Sequence, residues 1–161
     1  MRNIGSKKIV NNLSYEYQLL ATGDESASKI LASRGMYGHA IYLLIQSMEK
    51  NIRSKIFERV NPNLKYFRDK NKNHSLDASI EFLIDTITTD NIIKEQIKDM
   101  FNERVFNGLK SRSLHNNLRY PYYSEHNNVY LRFEYTKNDF NYILEMSENL
   151  KKFLNDIHKI Y

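Results

Sequence analysis

Between residues 37 and 57 the apolar side chains Tyr37, Ile41, Leu44, Ile45, Met48, Ile52 and Ile56 recur three and four positions apart, the spacing that gathers them on one helical face. The pattern predicts a helix from about Met36 to Arg59, with Lys50, Arg53 and Lys55 on its wet side. It ends before Asn61-Pro62-Asn63, because the residue ahead of a proline is pushed out of the helical region. A preceding helix is expected from about Ser14 to Arg34, weakened at Gly23 by ~1 kcal/mol relative to alanine. Gly35, between the two patterns, suits the left-handed conformation that ends a helix and allows a tight turn. An antiparallel hairpin follows.

Further along, Leu76, Ile80, Leu83, Ile84 and Ile87 predict a third helix, with Ser75 placed to cap it. The stretch Thr88-Thr89-Asp90-Asn91 interrupts it and caps a fourth, whose inward face is Ile93, Ile97, Met100, Phe101 and Val105 and whose end is expected near Leu118. Residues 1–12 read as a polar lead-in and 65–73 as a polar linker. Between Asn127 and Tyr135 the period changes to two, with Val129, Leu131, Phe133 and Tyr135 alternating with Tyr130, Arg132 and Glu134, so a short extended or hairpin segment competes there with an irregular loop. A last helix is expected from near Thr136, its stripe formed by Phe140, Ile143, Leu144, Leu150, Phe153, Leu154, Ile157 and Tyr161. The fold class is all-α: a single domain, residues 1–161, of about five helices.

Composition narrows the chemistry. With 161 residues and 41% hydrophobic side chains, one domain has enough chain to bury a core. The absence of cysteine excludes disulfides, a thiolate nucleophile and cysteine-ligated metals. No apolar run approaches the ~20 residues that span a bilayer, and Met1-Arg2-Asn3-Ile4-Gly5 lacks a signal-peptide core, so a cytoplasmic protein without a membrane partner is expected. A net charge of +5 favours an anionic partner, although a lysine- and asparagine-rich chain reaches such a charge without any specific partner.

On a continuous fourth helix, Arg104, Arg112, His115 and Arg119 gather within an arc of roughly 80°, with Gly108 inside it. Such a stripe reads as a phosphate-binding wall, with Lys110 at its edge and Tyr120, Tyr122 and Tyr123 available to stack on bases. It reads equally as a solvated face whose tyrosines pack on a partner subunit. His39, His74 and His158 are not paired with carboxylates at metal-ligand spacing, so no metal site or cofactor is expected. Asp24 and Glu25 fit a helical face.

Ala21, Asp24, Ala27, Ile30, Leu31, Gly35, Tyr37 and Ala40 stand in the order A-x2-D-x2-A-x2-L-L-x3-G-x-Y-x2-A, followed by Gln46, Glu49, Lys50 and Arg53 on an amphipathic second helix. This resembles the helical hairpin of the HEPN family, and Arg119-Tyr120-Pro121 resembles the segment before the last helix of many of its members. Arg119 and His126 match the family's R-x4-6-H motif with six intervening residues. The resemblance implies a HEPN-type bundle acting on RNA, as a metal-independent endoribonuclease of the toxin or defence type working as a homodimer, with an antitoxin as a further partner.

By that resemblance His126 activates a ribose 2′-hydroxyl and Arg119 holds the adjacent phosphate, two protomers bringing their motifs into one cleft. Tyr120 and Pro121 depart from the polar residue usual after the arginine, and Pro121 keeps Arg119 and His126 off one continuous helix, which puts His126 on a loop. Read without the family, Arg119 anchors a turn and His126 is solvated. The alternatives are a non-catalytic module that binds a nucleotide or partners a minimal nucleotidyltransferase, and a pure interaction protein. The tyrosine-rich stretch 120–135 points to a dimer seam through the last two helical segments.

Overall fold

A computed structural model describes residues 12–109 and 121–160, with the side chains of the last helix through Ile157. The helices are α1 Leu13–Ser33, α2 Tyr37–Phe57, α3 Lys65–Lys70, α4 Leu76–Ile87, α5 Asn91–Phe101 and α6 Lys137–Ile160; a π-helical turn, Asn102–Phe106, continues α5. Strands β1 Tyr122–Ser124 and β2 Val129–Leu131 form an antiparallel pair, with Tyr123 opposite Tyr130. The protein is all-α in class, as its periodicity predicts.

Helices α1 and α2 pack closely because small residues recur every seven positions on both. Ser14, Ala21 and Ser28 on α1 and Ala40, Ser47 and Ser54 on α2 are all buried. They meet in antiparallel register: Ser14 and Ser54 hydroxyls lie 3.0 Å apart, and Ser47 Oγ donates to the Ala21 carbonyl at 2.8 Å. Gly35 closes the hairpin at φ +74, with its N–H on Ala32 O at 3.0 Å and Met36 N–H on Leu31 O at 3.0 Å, which satisfies carbonyls that the helix end leaves open.

The apolar face of α2 then forms the centre of the core. Ile41, Leu44, Ile45, Met48, Ile52 and Ile56 are buried against α4, α5 and α6 residues such as Leu83, Phe101, Leu150 and Leu154. Caps fall where the sequence places them. Ser75 Oγ accepts from Ala78 N–H, Asp90 Oδ1 from Ile92 and Ile93 N–H, and Thr136 and Asp139 bond each other's backbone N–H at the start of α6.

Three expectations are corrected. Arg53 is not on the wet side of α2 but is 2% exposed, and Lys50 and Lys55 are half-buried. The linker 65–73 contains α3, held because Phe67 stacks on Phe82 at 5.9 Å. The fourth helix does not run on to Leu118: Asn107 at φ 48 and Gly108 at φ 80 leave the right-handed helical region, and Gly108 N–H caps Asn102 O at 3.3 Å.

Candidate functional site

Of the residues singled out in the sequence, Lys110, Arg112, His115, Arg119 and Tyr120 lie outside the described residues. Arg104, Tyr123 and His126 lie within them, on two separate elements. Because the helix ends at Asn107 and Gly108, helical spacing does not put Arg104 on one face with Arg112, His115 and Arg119. Arg104 belongs to the π-helical turn, an arrangement often found at functional positions, and lines a cleft of about 250 Å³ with Glu103, Tyr142, Glu145 and Asn149.

His126 is exposed in the four-residue turn Glu125–Asn128 that joins β1 to β2, so it is a loop residue as Pro121 predicts. Two contacts set the shape of this turn. Asn128 adopts φ 53, which asparagine tolerates better than most residues, and its side-chain oxygen accepts from the Tyr123 hydroxyl; Asn127 N–H bonds Ser124 Oγ at 3.3 Å.

The strands below the turn carry aromatic pairs on both faces. Tyr123 and Tyr130 meet edge to face at 5.2 Å between ring centres, and Tyr122 stacks on Phe133 at 5.4 Å. These rings remain open to solvent, Tyr130 at 75%. The base of the hairpin is anchored: Phe133 meets Tyr135 at 6.1 Å, and Tyr135 packs on the bundle beside Gly38.

A second polar constellation, around Arg53, is internal. Arg53 Nε donates to Glu49 Oε1 at 3.0 Å and Nη2 approaches the same oxygen at 2.9 Å. Nη1 donates to the Asn71 carbonyl at 2.8 Å and also to the Asn71 side chain, and Nη2 donates to the Asn73 carbonyl at 2.6 Å. Tyr17 OH and the Asn71 amide complete the group, and His74 Nδ1 stands 3.4 Å from Glu49 Oε1. Every guanidinium nitrogen is thus engaged by protein atoms, which leaves none to hold a phosphate. Arg53 is a clamp that fastens the α3–α4 connection to α2. The signal was in the spacing: Glu49 and Arg53, four apart, fall on the flank of the buried face marked by Ile45 and Ile56.

Asp24 and Glu25 are structural too. Asp24 pairs with Lys50 of α2, and Glu25 pairs with Lys29 at 2.8 Å and with Lys151 of α6. Burial pushes the Glu25 carboxyl up, but hydrogen bonds from Lys151 and Lys29 outweigh it and hold the group below the usual range. Among the described residues no three His, Asp or Glu side chains gather as metal ligands, and no helix is long and apolar enough to cross a membrane. No protein family, curated protein or solved structure matches the chain.

Proposed function

We propose that the protein is an RNA-acting member of the HEPN type, a metal-independent endoribonuclease that works as a dimer. The observation carrying this reading is the hairpin 122–131: an exposed histidine at its turn, flanked by solvent-open tyrosines of the kind that stack on unpaired bases. The net charge of +5 adds attraction for a polyanion.

In this mechanism His126 takes the proton of a ribose 2′-hydroxyl as that oxygen attacks the adjacent phosphorus. The phosphorus–O5′ bond breaks, water supplies the proton to the leaving 5′-oxygen, and the products are a 2′,3′-cyclic phosphate and a 5′-hydroxyl. Arg119 neutralises the charge that develops on the phosphate. Tyr123 and Tyr130 hold the neighbouring bases.

The test is incubation of single-stranded RNA with the purified protein in chelator, with analysis of the new ends. Cyclic-phosphate ends are expected, and His126→Ala should lower the rate by about 10²–10⁴-fold, the usual worth of a general base. The fold should persist, because His126 is exposed. If the parent and His126→Ala cut equally, the histidine has no part in the chemistry. If RNA is left intact while a free nucleotide raises Tm, the tyrosines serve a nucleotide-binding module, and the nucleotidyltransferase-partner reading replaces the nuclease.

A further inference from the structure

The π-helical turn Asn102–Phe106 packs on α6, and the cleft of about 250 Å³ opens between them. Its floor is apolar, formed by Val105 and Met146, each 2% exposed. Glu103 and Arg104 line it from the turn. Tyr142 and Glu145 line it from α6, where a spacing of three residues puts both on one helical face.

The polar groups of this cleft are unspent. Elsewhere on the bundle lysines pair with carboxylates, Lys29 with Glu25, Lys94 with Asp85 and Lys98 with Glu95. Among the described residues, the side chains of Glu103, Arg104, Tyr142 and Glu145 make no hydrogen bond, ion pair or ring contact, although a guanidinium and two carboxylates line the same space. Arg104 thus keeps its donors and Glu145 its acceptors, unlike the same groups in the Arg53 clamp. Because the carboxylates outnumber the guanidinium, a phosphate is repelled here, and a neutral ring that both donates and accepts is favoured.

We propose that this cleft takes the guanine base of an RNA strand. Of the four RNA bases only guanine carries two adjacent donors, N1–H and the N2 amino group, which match the two oxygens of a carboxylate; its other edge presents O6 and N7, the acceptors that a guanidinium engages with two bonds. Glu145 takes the first edge and Arg104 the second. Adenine and cytosine set one amino donor beside an acceptor, and uracil sets a single N–H between two acceptors, so each leaves a carboxylate oxygen unpaired or against an acceptor. Tyr142, 37% exposed, has a ring free to stack on the base. The volume falls below the ~300 Å³ at which sites for drug-sized ligands begin, which suits a single base.

A guanine site deepens the RNA reading above, by naming the base that the strand must carry, and rests on that reading. Helix α6 follows directly on the hairpin, and Tyr142 lies about 9 Å along its axis from Thr136. A strand stacked on Tyr123 and Tyr130 therefore has a second anchor on the helix that the hairpin leads into. His126 then acts on the ribose, while Arg104 and Glu145 choose the base. Arg104 reads a base edge and not the phosphate that a basic stripe would hold.

Short labelled 2′-O-methyl strands lack the attacking hydroxyl, so their anisotropy reads binding apart from cleavage. A uridine strand with one guanosine should bind about 5- to 150-fold more tightly than the all-uridine strand, the worth of a good bidentate contact. Inosine in its place removes the N2 amino group and 7-deazaguanosine removes N7, and each should lose most of the gain. Arg104→Ala and Glu145→Gln, both exposed, should abolish the preference with Tm unchanged. Guanosine monophosphate should compete less well than the strand, because Tyr123 and Tyr130 add their stacking; competition at equal affinity makes the ligand a free nucleotide and overturns the RNA source. Equal binding of guanosine, adenosine and uridine strands, or a preference that survives Glu145→Gln, overturns the site. Cleavage of ordinary RNA is read separately: a guanine preference without cleavage upholds the site and removes the nuclease, cleavage without any base preference removes the site alone, and no binding of any strand removes both.

Discussion

The Glu49–Arg53 clamp and the hairpin around His126 contain the same kinds of residue, arginine or histidine beside tyrosine and asparagine, in opposite conditions. In the clamp the guanidinium is buried and fully engaged by Glu49, Asn71 and Asn73. In the hairpin the imidazole and the tyrosine rings stand in solvent, and the Tyr123 hydroxyl is tied to the turn. Residue type does not separate structural polar groups from available ones. What separates them is whether the donors and acceptors are already spent.

The largest effect expected from that difference is on stability. Arg53→Ala strands the buried Glu49 carboxylate together with the Asn71 and Asn73 carbonyls, and breaking a buried pair in this way costs about 3–5 kcal/mol. For a domain of this size that lowers Tm by roughly 10 °C or more. The double replacement Glu49→Leu with Arg53→Met removes both charges and should recover part of the loss only, because the two carbonyls still lack their donor. His126→Ala should leave Tm within about 1 °C. Thermal unfolding of the four proteins breaks the comparison if Arg53→Ala and His126→Ala melt together.

The sequence reveals the α1–α2 hairpin because two signals agree there: apolar spacing on Ile41, Leu44, Ile45, Met48, Ile52 and Ile56, and a glycine at the turn. It conceals Arg53, because polarity argues outward while angular position argues inward, and the position wins once Glu49 and two carbonyls are at hand. The end of the fourth helix is legible too. Asn107-Gly108 is a strong turn dipeptide, yet the basic residues beyond it keep a helical spacing that suggests continuation. Of the candidate site, the loop position of His126 follows from Pro121, while the pairing of Tyr122 with Phe133 depends on a strand register fixed only by the turn.

A smaller effect sharpens the functional side. If Tyr123 and Tyr130 hold bases, replacing Tyr130 by alanine should cost about 1–3 kcal/mol of RNA binding, a loss of roughly 5- to 150-fold. Tyr130→Phe should keep most of it, since stacking needs the ring and not the hydroxyl. Fluorescence anisotropy of a labelled single strand reads both variants, and Tm should move in neither. Equal binding by Tyr130→Ala and the parent removes the tyrosines from RNA recognition.

The smallest effect is in pH, and it separates the helical bundle from the hairpin by the end of the scale at which each responds. Against the upward push of burial, Lys151 and Lys29 hold the Glu25 carboxyl below its ordinary 4.5; a hydrogen bond from Lys94 lowers Asp85 and hydrogen bonds from Thr136 lower Asp139. A carboxyl depressed in the folded state binds a proton more readily when unfolded, so its contribution is present above the ordinary value and is lost as pH falls through the folded one. Acid below about pH 4.5 therefore loosens the ties of α1 to α6 and of α4 to α5, while the exposed hairpin has none of these ties. At the other end, burial and then the Asp139 charge raise the Tyr135 phenol above its ordinary 10.0. The neutral ring at the base of the hairpin contributes stability below that value and loses it as pH rises through the folded one. Tyr135→Phe, which cannot ionise, should flatten the alkaline limb of Tm against pH and leave the acid limb in place, whereas Lys151→Met should lessen the acid limb alone. An alkaline limb unchanged in Tyr135→Phe would mean that the hairpin base does not depend on that phenol.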